Sequence, residues 1–229
     1  MKSIKSIIPY IFSISLIYFL FVLSFYIVLY FDNNFLLNLF DKFKVYDNLP
    51  FKLTLDDARK IATELMDYLR GTRNFLETTI SINGRVKELY SLTAKIHMAD
   101  VRNIFLLNIK CHFFALSIAI LCLIYSLRHN ITIEQIFIAY KNILLLLSIF
   151  VVIIIVYAYI DFDSFFMNFH KIIFTNEYYL FNPNNDYIIL MLPEELFQYI
   201  GFLVISLFIG LNMISITILY LLKRIQHHP

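Results

Sequence analysis

The chain has 229 residues, of which 60% are hydrophobic and only 16% charged, against about 25% charged in an ordinary soluble domain. Mean hydropathy is +0.72, and net charge is +2 from 19 basic and 17 acidic residues. These values exclude a disordered or nucleic-acid-binding chain, count against a soluble globular one, and give no polybasic or polyacidic partner signal.

The first element is an uninterrupted apolar run over 7–31, long enough to cross a bilayer as a helix. It is too long for a signal-peptide core, and no small-residue cleavage site follows it. It is expected to be a retained anchor. The segment 32–103 then carries its own structure. Thr54 reads as an N-cap with Asp57 at the capping-box position. Leu55, Ala58, Ile61, Ala62, Leu65 and Leu69 follow at helical spacing, and Gly71 ends the run. That predicts an amphipathic helix over 55–70, either a lid on the outer domain or a contact with the membrane surface. Asn83-Gly84 between two alternating runs, over 78–89, predicts a β-hairpin. It needs the helix or the membrane mouth to lean on, because a two-stranded ribbon alone is marginal.

After Ser91 the period turns helical again. One continuous helix is expected from about Thr93 into a second apolar span over 104–127. His97 and Asp100 share a face of it, so the carboxylate is placed to orient the imidazole and favour its charged form. His112 lies inside this span beside Lys110, which is near enough to the outer end to snorkel. Cys111 and Cys122 fall in the same run, about 16 Å apart if it is helical. That is far beyond disulfide reach, so they read as buried thiols.

A third span is expected over 143–160. Beyond it, Phe165, Phe169 and Ile172 or Ile173 form an apolar stripe on a helix lying in the membrane interface. Asn182-Pro183-Asn184-Asn185-Asp186 is a turn. Pro193 suits a first helical position, and Glu194 and Glu195 suit the positive end of the helix that becomes the fourth span, 197–222.

Short loops set the orientation. Lys2, Lys5, Arg128, Lys141, Lys223 and Arg224 lie on one side against Glu134 alone. The segment between spans three and four has Lys171 against six acids. Both termini are therefore expected to be cytoplasmic, with 32–103 and 161–196 outside. The fold expected is an all-α membrane protein. It has four transmembrane helices and a small extracytoplasmic α+β cap of amphipathic helix plus β-hairpin, within one integral membrane domain over 1–229.

Phosphate-loop, G-x-S-x-G, H-E-x-x-H and C-x-x-C motifs are missing. Of six histidines, His129, His227 and His228 lie on the inner side. His97 and His170 both fall just outside the membrane core on the outer side. By spacing alone they are either polar rim residues or a working pair. Metal ligation with Asp100 or Asp186 has no tight ligand spacing behind it.

Three stretches carry a resemblance. His97-Met98-Ala99-Asp100-Val101-Arg102 resembles the H-M-x-D-V-[KR] motif of a bacterial four-span membrane family, the lipoprotein intramolecular transacylases. Phe169-His170-Lys171-Ile172-Ile173-Phe174-Thr175-Asn176 is similar to its F-H-x-x-x-F-x-N motif. Asp186-Tyr187-Ile188-Ile189-Leu190-Met191-Leu192-Pro193-Glu194-Glu195 resembles its third, D-x-L-I-x-L-L-P-E followed by an acid or aromatic. Two positions depart from the pattern. Tyr178-Tyr179 stand where members often have Trp. Ala94 stands where an acid often precedes the first histidine, which bears on how the helix entry is capped and whether His97 has a second carboxylate partner.

The resemblance implies a reaction. The sn-2 acyl chain of a diacylglyceryl-cysteine lipoprotein moves to the cysteine α-amine, giving an N-acyl lyso-form. No cofactor or metal is needed; the partners are the lipoprotein and membrane lipids. The site would lie at the outer leaflet of the bacterial cytoplasmic membrane. His97 and His170 would be the acid–base pair, supported by Asp100, Arg102, Asn176, Asp186 and Glu194. Phe165, Phe166, Phe169 and Phe174 would line the acyl entry. His97, beside Asp100, is expected to be the more readily charged. An α-amine has a reference pKa of about 7.7–8 and a free imidazole about 6.5, so the one can pass its proton to the other at little cost. The alternatives are another membrane lipid acyltransferase, which would add a third chain, or a non-enzymatic scaffold.

Overall fold

The computed structural model describes residues 2–82 and 84–227; Asn83 and His228 lie outside the described residues. In chain order the elements are α1 (Lys2–Tyr30), α2 (Phe35–Lys42), a 3-10 turn (Val45–Asn48), α3 (Leu55–Arg70), β1 (Thr79–Ile82), β2 (Arg85–Glu88), α4 (Leu92–Arg128), α5 (Ile133–Ile160), α6 (Phe162–Ile173), α7 (Ile188–Met191) and α8 (Glu194–His227). Four helices are long and apolar enough to cross a membrane: Ile4–Tyr30, Leu92–Arg128, Ile133–Ile160 and Glu194–Gln226. At 1.5 Å per residue, α4 is about 55 Å long, nearly twice a hydrocarbon core. Its charge-free part is the span over 104–127 only after Lys110 is allowed to snorkel. The first turns, with Lys95, His97, Asp100 and Arg102, lie outside that span.

The chain divides into two compact units. The first holds residues 1–25, 109–165 and 203–229. Its core joins Ile17 and Leu20 of α1, Tyr140 of α5 and Phe208 of α8. Several polar side chains in this apolar setting find partners within the chain, in place of the water they lack. Ser13 donates to the Pro9 carbonyl at 2.7 Å, and Ser126 to the Cys122 carbonyl at 2.7 Å. The Tyr140 hydroxyl donates to Asn212 Oδ1 at 2.7 Å, while that amide donates to the Phe208 carbonyl at 2.8 Å. Lys223 pairs with Glu134 at 2.7 Å.

The second unit holds 26–108 and 166–202. Its core gathers Leu36, Leu39 and Phe40 of α2, Ala58, Ile61 and Leu65 of α3, Ile80 of β1, Ala94 and Met98 of α4, and Ile188 and Met191 of α7. Helix α3 has the expected bounds. Thr54 Oγ1 accepts the Asp57 N–H at 3.1 Å, and Gly71 closes the helix at φ +88°. The hairpin is antiparallel, with Ile82 opposite Arg85 and Thr79 opposite Glu88. Gly84 takes φ +77° in its two-residue turn. Lys60 of α3 donates to the Thr79 carbonyl at 2.8 Å, so the ribbon leans on the helix.

Two boundaries differ from the sequence reading. Helix α5 starts ten residues before the apolar run, because Thr132 and Gln135 form a reciprocal capping box. Lys141 and Glu134 made that stretch look like loop, yet capping decides where a helix begins. Pro193 stands one residue before α8, with Glu194 and Glu195 in the first turn. Helix α6 buries none of its residues despite its apolar stripe.

Gly71 is required on two counts: its positive φ, and a Leu106 methyl that would lie 2.8 Å from an added Cβ. Gly71→Ala should lower stability by about 1–2 kcal/mol. Thermal unfolding in detergent checks this, and an unchanged midpoint would refute it.

Candidate functional site

Site residues come from three pieces of the second unit: the start of α4, the end of α6, and the loop 174–186. Helix α4 is capped without an acid at position 94. The Ser91 hydroxyl oxygen accepts the Ala94 N–H at 3.0 Å, and Ser91 Oγ donates to Asp186 Oδ1. The other Asp186 oxygen accepts the Asn182 N–H at 2.8 Å. Asp186, itself buried, thus joins the turn 182–186 to the entry of the helix that carries His97. Ala94 is wholly buried, so an acid there would have no water.

His97 is 5% exposed. Its ring lies 5.7 Å from that of His170, centroid to centroid, at 34°. Phe174 at 4.8 Å and Phe181 at 5.4 Å meet it edge-on. Nδ1 of His97 is buried with no hydrogen-bond partner. His170 is half-buried. It packs against Phe166 at 4.4 Å, Phe169 at 5.5 Å, Tyr179 at 5.1 Å and Phe174 at 5.7 Å. Its Nδ1 lies 2.7 Å from the Phe166 carbonyl oxygen. A carbonyl only accepts, so this nitrogen carries the proton, and the neutral ring keeps its lone pair on Nε2.

Both imidazoles are held below the ordinary histidine value. Burial pushes His97 down to about 4, the positive form of His170 adds to the drop, and Asp100 opposes it. Burial also lowers His170, partly offset by the Phe166 carbonyl. The expectation that His97 is the more readily charged is therefore reversed. Desolvation outweighs the nearby carboxylate, and Asp100 is engaged elsewhere: its Oδ2 accepts the Asn176 amide at 2.9 Å.

The supporting residues divide by what they touch. Asn176 donates to Asp100 and accepts the Tyr178 N–H at 3.1 Å, fixing the loop after α6. Arg102 turns away from the pair. Its Nε donates to the Tyr68 carbonyl at 2.9 Å, and its guanidinium lies 5.1 Å from the Tyr68 ring centre. Glu194 opens α8. Among the phenylalanines, Phe166, Phe169 and Phe174 adjoin His170, while Phe165 packs on Tyr157 and Phe162. Tyr179 and Phe181 are site neighbours that the sequence reading does not include; the signals for them are the aromatic bias of their loop and, for Tyr179, the family's Trp at Tyr178-Tyr179. His112, in the first unit, stacks on Phe19 at 4.2 Å and takes no part here.

The pair is covered by rings rather than set in an open hollow. Surface hollows of about 440 Å³ along 46–53 and 240 Å³ beside Phe75, Lys95 and Ile96 are lined by neither histidine. Among the described residues, no group of three His, Cys, Asp or Glu side chains is placed to hold a metal ion.

Comparison with known proteins follows from this geometry. The family model described as "Lipoprotein intramolecular transacylase Lit" matches residues 10–197. No curated protein matches the chain. Among solved structures, the membrane-integral lipoprotein intramolecular transacylase from Bacillus cereus shares the fold, with a TM-score of 0.80, 24% identity and 100% of both chains covered. A histidine-to-alanine mutant of that protein gives 0.74 and 23%, covering 100% of this chain and 97% of its own. A histidine-to-arginine mutant gives 0.73 and 23%, covering 99% and 95%.

Removing the buried Asp186 carboxylate strands the Ser91 hydroxyl and the Asn182 N–H together. Asp186→Ala should cost about 1–3 kcal/mol. A denaturation midpoint in detergent equal to wild type would contradict the joint described here.

Proposed function

Because the chain belongs to the lipoprotein intramolecular transacylase family, we propose that His97 and His170 carry its acyl transfer as a desolvated acid–base pair. The protein is a membrane-integral acyltransferase. Its reaction moves the sn-2 acyl chain of a diacylglyceryl cysteine to the α-amine of the same cysteine. Ester and amine belong to one molecule, so positioning supplies much of the rate.

The amine nitrogen attacks the ester carbonyl carbon, and the carbonyl pair moves to oxygen. The nitrogen then becomes acidic, and His170 Nε2 takes its proton. The Phe166 carbonyl on Nδ1 supports that role, since it fixes the tautomer and stabilises the imidazolium. Collapse breaks the bond to the glyceryl oxygen, which leaves with the electron pair and takes a proton back from the pair. The rings are 5.7 Å apart and charge on one disfavours charge on the other, so the pair rests neutral and carries at most one added proton during the cycle. His97, the drier ring, acts as the neutral partner that orients the exchange.

The charge bias of the short loops supports cytoplasmic termini, with 32–103 and 161–196 beyond the outer leaflet. Helix α3 and the hairpin form the extracytoplasmic cap in this reading, and 1–229 works as one membrane domain. Phe169, 45% exposed, and Phe174 guide the acyl chain. Asp100, Asn176, Asp186, Arg102 and Glu194 hold the loops and helix entries that present the rings. The substrate is a diacylglyceryl lipoprotein in a bacterial cytoplasmic membrane.

Transfer within one molecule is an isomerisation, so fragmentation must locate the chain. Purified protein with a synthetic diacylglyceryl lipopeptide, read by tandem mass spectrometry, should give the N-acyl lyso-form at unchanged mass. His97→Ala and His170→Ala should each slow this about 10²–10⁴-fold. Either variant converting at the wild-type rate would remove that histidine from the mechanism.

A further inference from the structure

Resting on the histidine reading above, we propose that the Tyr179 hydroxyl is a third group of the site, donating the hydrogen bond that stabilises the tetrahedral oxyanion.

Geometry carries this. The rings that meet the pair belong to Phe166, Phe169, Phe174, Phe181 and Tyr179. Only Tyr179 among them has a proton to donate. Its ring lies 5.1 Å from His170 and 6.4 Å from His97, so it adjoins both. The residue is half-buried. Its hydroxyl has no hydrogen-bond partner among the described residues, and it is not one of the sealed, unpaired polar atoms. Its ring is thus packed while its polar tip stays available.

The loop is also built to hold that tip still. Asn176 ties it to Asp100 and accepts the Tyr178 N–H. The Leu180 N–H donates to the Glu177 carbonyl at 3.0 Å, closing a turn around Tyr178 and Tyr179. Such pinning is what an oxyanion donor requires, because it must be in place before charge develops.

The chemistry needs this group. Attack of the amine nitrogen on the ester carbon puts a full negative charge on the former carbonyl oxygen. Two imidazoles that are neutral when the amine attacks offer no standing cation at that moment. A phenol O–H can donate a hydrogen bond to that oxygen. The proton inventory is unchanged: the amine proton goes to His170, and the glyceryl oxygen takes one back. Tyr179 gains and loses nothing across the cycle.

The test uses the full-length protein and the lipopeptide assay, with kcat and KM measured separately. Tyr179→Phe keeps the ring and removes one oxygen. It should lower kcat about 10²-fold, with KM near wild type. Tyr179→Trp restores an N–H donor and should recover at least a tenfold part of that loss. Tyr179→Phe matching wild type would overturn the proposal, as would Trp and Phe variants equally slow, which means a packing role alone. If Tyr179→Phe matches wild type while wild type converts the lipopeptide and the two His→Ala variants do not, only the Tyr179 assignment falls. If wild type leaves it unchanged, the parent reading fails and this one with it.

Discussion

Two imidazoles 5.7 Å apart and screened from water share one proton poorly and two hardly at all. At His97, burial leads, the charge of His170 adds to it, and one carboxylate resists. A ring kept neutral is a ready acceptor for an amine proton. Once charged in a dry site, it is a strong donor to an alkoxide. Phenylalanines 166, 169, 174 and 181 create that dryness, and they are also the surface an acyl chain would meet. The same apolar contacts thus tune the pair and, in the proposed reaction, meet the acyl chain.

Holding the rings in place is the work of polar ties at the periphery. Ser91 and Asp186 join a loop to the N-terminus of α4. Asn176 and Asp100 join the end of α6 to the first turns of α4. Arg102 binds α4 to the end of α3 through the Tyr68 carbonyl and ring. Each tie spans 34 to 95 positions of sequence. All three converge on the roughly three turns around His97, which explains why so many polar residues surround a site whose immediate walls are apolar.

Much of this was legible in the sequence. Apolar runs of membrane-spanning length located the four long helices. Thr54-x-x-Asp57 and Gly71 mark the ends of α3, and the two alternating runs around Gly84 mark the strands of the hairpin. Local chemistry decides these features, so local reading finds them. Other features were hidden because they depend on distant partners. Asp100 looked like the partner of His97 by spacing, but a loop amide 76 positions away takes its oxygen. Arg102 sat in a motif with His97, yet it faces Tyr68. Desolvation of His97 comes from Phe174 and Phe181, far along the chain, and no spacing rule weighs burial against a neighbouring charge. Residue 94 lacks its acid, and Asp186 supplies a carboxylate to the cap through Ser91 instead. Tyr179 shows in the sequence only as part of Tyr178-Tyr179, a departure from the family's Trp, and its place beside both histidines depends on a loop fold that spacing does not give.

The most direct measurement is the rate of conversion of a diacylglyceryl lipopeptide against pH, corrected for the measured ionisation of the substrate amine. A histidine with a depressed pKa stays neutral, and so stays a base, as pH falls through 6.5. The corrected rate should therefore hold level from pH 8 to below 6 and fall only in more acidic solution. A corrected rate that halves at pH 6.5 or above would mean an ordinary, water-exposed imidazole, and would contradict the dry pair.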